Sequence, residues 1–310
     1  MKVAVMGSGA VGGYYGGSLA RAGHDVTFIA RGAHLAALRT NGLQVKSVHG
    51  DFTISPVQAT AIPAEVGRVD LVLVCVKTPD TDQAAHAIKP MVGSDTTVMS
   101  VQNGIDAAER IGAVVGMKHI VGGATWLSSA IEAPGVIRQI SQFRRIVLGE
   151  LDGRVTPRVQ ALFEVLRSTG ATVELSDNIV KVLWSKFIFI ASVSGIGSLT
   201  RLGIGDYRAV PETRGVLVSL MREVEAVARG TGTMLDTDVI EQILVLIDNA
   251  APTIKPSMQL DVEASHRSEL ESMIGVICRK GRELGVPTPI ADIVYAALLP
   301  GELKARNTLT

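Results

Sequence analysis

"KVAVMGSGAVGGYYGGSLARAG" (Lys2–Gly23) decides the fold of this chain. "KVAVM" is apolar after its lysine and reads as a short strand. The turn that follows, Gly7-Ser8-Gly9-Ala10-Val11-Gly12, matches G-x-G-x-x-G and opens a helix that Gly23 closes. Strand, glycine turn and helix in that order are the setting in which the motif binds a dinucleotide. Gly7 permits the tight turn, Gly9 lets the backbone approach a pyrophosphate, and Gly12 lets the helix pack on the sheet. The loop residues Ser8, Ala10 and Val11 complete the N-terminal turn that faces the phosphates. The alternative is a plain strand–turn–helix connection.

Working outward, "DVTFIA" (Asp25–Ala30) is a second strand, His34–Gly42 has helical spacing with a glycine stop, and "LQVKSV" (Leu43–Val48) alternates like a strand. "DLVLVCVK" (Asp70–Lys77) is the continuous apolar run of a buried parallel strand. Helices are expected at Thr81–Met91, Asp106–Val115 and Pro157–Thr169. Strands are expected at Thr97–Val101, His119–Leu127 and Thr172–Leu175. "GVIRQISQFRRIVLGEL" (Gly135–Leu151) reads as an antiparallel hairpin. After Ser176 the pattern is helical almost to the end. The fold class is α/β: an N-terminal Rossmann-type doubly wound sheet, residues 1–175, followed by an all-helical C-terminal domain, residues 176–310.

The second strand ends "FIARGAH", with Arg31 where NAD-binding versions carry an acidic residue about 20 residues beyond the motif. A guanidinium suits a 2′-phosphate, so the cofactor reads as NADP(H); a solvated loop arginine is the alternative. Lys77 and Asn103 end two further strands, at the edge where open α/β sheets bind ligands. "NG" is also a common turn dipeptide.

The 310 residues make two domains the expectation. Thirty Lys and Arg balance thirty Asp and Glu, and no basic stripe is visible, which argues against nucleic acid. Cys75 and Cys278, both in apolar settings, argue against a disulfide framework and for a reducing compartment, hence the cytoplasm. The histidines form no cluster, so no metal site is expected; His24, His34 and His119 sit at element edges. The run Asn178–Leu199 approaches membrane-spanning length, but Lys181, Lys186, serines and glycines interrupt it. It reads as the buried helix of a protein with no membrane partner. Lys186 in its middle is unusual, because an unpaired ammonium is costly to bury. It can snorkel, pair with a carboxylate, or do chemistry.

Taken together, "GSGAVGG", "VCVKT", "QNG", "NIVKVLWSKF…SLTRL", "PSMQLDVEA…SELESMIG" and "GVPTPI" resemble the ketopantoate reductase (2-dehydropantoate 2-reductase) family along essentially the whole chain. The resemblance implies NADPH-dependent reduction of 2-dehydropantoate to (R)-pantoate, a step toward coenzyme A. It implies Lys186 as the catalytic lysine, Glu269 as its glutamate partner and Ser257 as a substrate contact. Asn103 would line the site beside the nicotinamide, and Arg31 and Lys77 would contact the cofactor. Hydride transfer to a ketone leaves negative charge on oxygen, and a lysine whose proton affinity is set by burial and a carboxylate can stabilise that charge and donate the proton. On this reading Lys186 faces a cleft between domains. A homodimer rests on family-level analogy alone. The rival readings are a reductase of another small 2-oxo acid and a non-catalytic NADP(H) sensor.

One departure from the family pattern stands out. The family carries asparagines four and eight residues after the lysine; here those positions are Ile190 and Ser194. Isoleucine cannot hydrogen-bond and serine reaches less far, so the substrate-binding side of the helix is altered, with selectivity for ketopantoate weakened or turned toward a bulkier or less polar 2-oxo acid. Replacement bonds from Ser194 and its neighbours are the alternative.

Overall fold

The structure, a computed structural model, describes residues 1–309. The chain divides into two compact units. The first is Met1–Gln102 with Asp106–Ile179; the second is Asn103–Ile105 with the chain from Val180 onward.

The strands are β1 (Lys2–Met6), β2 (Asp25–Ile29), β3 (Leu43–Lys46), β4 (Phe52–Ile54), β5 (Gln58–Thr60), β6 (Leu71–Val74), β7 (Thr97–Ser100), β8 (Ile120–Trp126), β9 (Ser129–Ala133), β10 (Val136–Gln139), β11 (Arg145–Gly149) and β12 (Thr172–Leu175). Eight form the main sheet in the order β12-β11-β8-β7-β6-β1-β2-β5. From β8 to β5 every pairing is parallel; β11 joins β8 antiparallel. The chain leaves β1 for β2 on one side and later returns to β6 on the other, so order reverses at β1. Helices α1 (Ala10–Arg21), α2 (Gly32–Asn41), α3 (Thr81–Ile88), α4 (Ala107–Val115) and α5 (Pro157–Arg167) complete this unit. The apolar strands are buried on both faces. Val3 and Val5 of β1 and Leu71 and Leu73 of β6 join the core that holds Tyr15 and Leu19 of α1. Their alternate neighbours, Ala4, Met6, Val72 and Val74, join the core with Ala85 and Ile88 of α3 and Ile111 of α4. That two-sided burial is why β1 and β6 read as unbroken apolar runs.

The expected α/β class, with a parallel sheet followed by helices, is the one found. The expected hairpin is not. Val136–Gln139 and Arg145–Gly149 lie in different sheets: β10 pairs with β9 and β3 in a four-stranded sheet, order β4-β3-β10-β9, whereas β11 lies between β8 and β12. Fully buried "IVLG" needs cover on both faces, which only the main sheet offers. Alternating "VIRQ" has one outer face and suits the smaller sheet.

The second unit contains α6 (Ile179–Thr200), α7 (Ile204–Ala209), α8 (Pro211–Gly230), α9 (Val239–Asn249), α10 (Ser257–Glu263), α11 (Val276–Leu284) and α12 (Pro289–Ala305). α6 is the one helix among the described residues long and apolar enough to cross a membrane. It packs Phe187, Ile188, Ala191 and Ile196 into a core shared with Leu220 and Val224 of α8 and Ile277 of α11. Leu270 begins a helical run whose Glu271–Gly275 turn is π-helical before it continues as α11.

Candidate active site

In the first unit the glycine loop lies at the carboxyl end of β1, where sheet order reverses and where open α/β sheets take their ligands. Two glycines are required by the protein's own packing. Gly7 has φ +92°, and a Cβ there would stand 2.7 Å from Val76 Cγ1 and 2.8 Å from its nitrogen. At Gly12 a Cβ would overlap the Gly7 carbonyl oxygen and approach Cys75 Cβ and Val5 Cγ1 at 3.0 Å each. Gly9 differs: a Cβ would meet only Ile131 Cδ1 at 3.9 Å. No packing contact requires a glycine there; its place as the N-cap of α1 favours one, and so would close approach of a pyrophosphate. Ala10, Val11 and Gly12 form the first turn of α1, whose N–H groups have no intrahelical acceptor, and Gly13 is the first to close, donating to Gly9 O at 2.6 Å. The loop therefore fits a dinucleotide phosphate. Ser8 is used otherwise: its N–H and its hydroxyl both donate to the Ile29 carbonyl, at 3.2 and 3.1 Å, tying the loop to β2.

Arg31 is exposed at the N-cap of α2, just beyond β2, with no acidic residue in the first turn. Lys77 is exposed just beyond β6. One residue that the sequence gave no reason to choose is His34. Its Nδ1 accepts from the Gly135 N–H at 3.1 Å, which leaves the proton on Nε2. Burial lowers its pKa, and the Ser8 backbone acts on it in the opposite direction.

In the second unit Lys186 lies on α6, half-buried. Its Nζ donates to Asn103 Oδ1 at 3.0 Å, across 83 residues of chain. Burial pushes the Lys186 pKa down to about 8, with the Glu269 charge holding it up. Glu269 is buried at the start of its helical run, where its backbone carbonyl accepts from Ser272 at 3.0 Å and Met273 at 2.9 Å. A carboxylate there is favoured by the helix N-terminus. The residue before Asn103 is pinned: Gln102 Nε2 donates to Val76 O at 2.9 Å and to Thr81 Oγ1 at 2.8 Å, and its Oε1 accepts from Ser100. Gln102 is the first residue of the quoted "QNG", but nothing in that motif points to this task.

Lys186, Asn103 and Glu269 are thus brought together. Ser257 forms no hydrogen bond with them; it is exposed as the first residue of α10, after the N-cap Pro256. Ile190, one turn beyond Lys186, is partly buried against the core of the unit. Ser194, one turn further, is buried, and its hydroxyl has no partner. The Ser198 hydroxyl and Gln259 Oε1 are likewise buried without partners, and Gln259 packs directly on Gly197 of α6. Among the described residues no three His, Cys, Asp or Glu side chains are grouped to hold a metal. The arrangement offers one ammonium of tuned acidity, an amide and carboxylate that fix it, and unsatisfied polar atoms on the same helix.

The family model described as Ketopantoate reductase PanE/ApbA matches residues 3–153, and that described as Ketopantoate reductase PanE/ApbA C terminal matches residues 178–302. The chain is 30% identical over 298 residues to an uncharacterized oxidoreductase of Bacillus subtilis, covering 96% of this chain and 98% of that protein. It is 30% identical over 317 residues to a 2-dehydropantoate 2-reductase of Mesorhizobium japonicum, covering 96% of each. The crystal structure of a PanE/ApbA family ketopantoate reductase from Ralstonia eutropha has a TM-score of 0.91 at 33% identity, covering 99% of this chain and 100% of that one.

Proposed function

We propose that this chain, which belongs to the ketopantoate reductase family, reduces the keto group of a small 2-oxo acid with NADPH, ketopantoate being the first candidate and (R)-pantoate the product. The observation that carries this reading is Lys186, an ammonium in an apolar helix with its pKa near 8 and an amide and a carboxylate acting on it. The Gly7–Gly12 loop and the α1 N-terminus would hold the pyrophosphate, and Arg31 the 2′-phosphate, with Lys77 nearby. When bound, the nicotinamide supplies the hydride. Lys186 then stabilises the negative charge that develops on the carbonyl oxygen and donates the proton to it. Glu269 keeps the lysine protonated near neutral pH, and Asn103 fixes where its Nζ stands. Ser257 and the buried Ser194 hydroxyl are offered to the polar end of the substrate. Two unpaired cysteines support a reducing, cytoplasmic setting.

A second reading, a reductase of a less polar 2-oxo acid, is favoured by Ile190, which removes a hydrogen-bonding group one turn from Lys186. The test is NADPH consumption with ketopantoate beside a panel of 2-oxo acids lacking its hydroxyl. Turnover of ketopantoate supports the first reading, turnover of the others alone supports the second, and NADPH binding with no turnover of any would point to a sensor.

A further inference from the structure

Glu302 lies on α12 and is 4% exposed. A carboxylate so enclosed needs partners for both oxygens. Oε2 accepts from the Ser268 N–H at 2.9 Å and from the Ser268 hydroxyl at 2.5 Å. Oε1 accepts from Nε of Arg306, the C-cap residue of α12, at 2.6 Å. Ser268 is fully buried, and its Oγ in turn accepts from the Leu270 N–H at 3.3 Å. The three residues Ser268-Glu269-Leu270 are therefore clasped: Glu302 grips the first, and the hydroxyl of the first grips the third. Glu269 is the residue in the middle. Its own carbonyl starts the hydrogen-bonded turn that runs into the π-helical segment.

We propose that Glu302 is a positioning residue for the reaction: by holding Ser268 from α12, it fixes the backbone of Glu269 so that the Glu269 carboxylate stands where it supports the Lys186 ammonium. The proposal rests on the reading of Lys186 as proton donor. A carboxylate suits the task because two donors from one residue converge on one of its oxygens, and charge-assisted bonds are about twice as strong as neutral ones. Arg306 holds the other oxygen, so the carboxylate cannot swing away from Ser268. The charged group acting on Lys186 is Glu269, and the one against Glu302 is Arg306. If Glu302 merely capped a helix, its loss would lower the melting temperature and leave the proton affinity of Lys186 unchanged.

The experiment measures the titration midpoint of Lys186 in the full chain by competitive acylation with acetic anhydride and mass spectrometry, a readout independent of turnover. It is run on the parent, E269Q, E302Q and E269Q/E302Q, with the alkaline limb of kcat/KM measured beside it. In E302Q the Lys186 midpoint is expected to fall part of the way to its E269Q value. In the double variant it is expected to fall no further than in E269Q alone, as a pathway through Glu269 requires. Ser268→Ala, which removes the hydroxyl from the clasp and keeps the Glu302 charge, gives the same direction with a smaller fall and serves if E302Q does not fold. An unchanged midpoint in the folded variants overturns the proposal. So does an equal fall in E302Q with and without Glu269, since Glu302 would then act on Lys186 through its own charge. If the midpoint falls as expected but the alkaline limb does not follow it, the positioning stands and the proton-donor reading fails.

Discussion

Replacing Gly9 and Gly12 by alanine, one at a time, separates a loop built for a ligand from a loop built for packing. At Gly12 the new methyl meets the Gly7 carbonyl, which is backbone and cannot rotate aside, together with Cys75 Cβ and Val5 Cγ1 at 3.0 Å. Overpacking of this kind costs about 1–3 kcal/mol, and the better helix propensity of alanine returns at most about 1. Gly12→Ala should therefore lower the melting temperature by several degrees, at roughly 2–4 °C per kcal/mol. At Gly9 the methyl has only Ile131 at 3.9 Å, and φ is an ordinary −69°. The loss of glycine at an N-cap and the gain from a stiffer unfolded chain nearly cancel, so stability should change by less than about 1 kcal/mol. The same methyl stands where a pyrophosphate would approach. Losing one charge-assisted N–H bond to phosphate, about 1.5–3 kcal/mol, weakens NADPH binding by about 10- to 100-fold. Thermal melts without cofactor and a fluorescence titration with NADPH read the two effects separately. Gly9→Ala binding NADPH as tightly as the parent would refute the pyrophosphate reading. A Gly9→Ala melt depressed as much as that of Gly12→Ala would refute the open-cradle geometry.

Four further outcomes are expected. Arg31→Ala should narrow the preference for NADPH over NADH by about tenfold or more, as loss of a charge-assisted pair to a phosphate does; equal affinities in the unaltered chain would remove the argument. Because the Lys186 pKa is lowered to about 8 and the protonated form is the donor in the proposed reaction, reduction should be flat below about pH 8 and fall as pH rises through it; Glu269→Gln should move that limb to lower pH. Lys186→Ala should cut kcat by about 10²–10⁴-fold with NADPH affinity unchanged, and a variant keeping most of its turnover would show the lysine to be structural. For the substrate, Ile190→Asn should raise kcat/KM for ketopantoate relative to 2-oxo acids without its hydroxyl. A parent preference already at about 10⁴-fold, the order expected of a dedicated hydrogen-bonding site, would sink the altered-pocket reading.

The legible parts of the fold were those whose signal is local. β1 beyond Lys2, and all of β6, are buried on both faces and so read as unbroken apolar runs, and the glycine loop carries its own spacing. The three-residue strands β4 and β5 were not anticipated, because neither is long enough to show a period. The pairing of β10 and β11 was misjudged because closeness in sequence suggests a hairpin, while the difference that decides it, alternating burial in one and complete burial in the other, bears on the sheet each can join rather than on each other. In the site, Lys186 could be found because a charge inside an apolar run is conspicuous. Gln102, His34 and Glu302 could not, since each is an ordinary polar residue whose partner is set by tertiary packing: Val76 and Thr81, Gly135, and Ser268 respectively.

Two of these hidden residues, Gln102 and Glu302, share a physical task. As the proposed proton donor, Lys186 would need two conditions that oppose each other. Enclosure makes it a stronger acid than a solvated lysine, and a carboxylate must keep it charged enough to have a proton to give. The balance near pH 8 depends on where Glu269 stands, because the attraction between charges in a poorly solvated site changes steeply with distance; Asn103 holds the ammonium by a hydrogen bond. Neither partner is fixed by its own element alone. Asn103 follows a strand end and is preceded by a glutamine bonded in two directions. Glu269 opens a helix and is preceded by a serine bonded to a buried carboxylate on α12. In both cases the residue immediately before the functional one carries the restraint, and the functional side chain is left to act on Lys186. The chemically conspicuous residues suggest which groups would act; the residues beside them bear on how those groups are held.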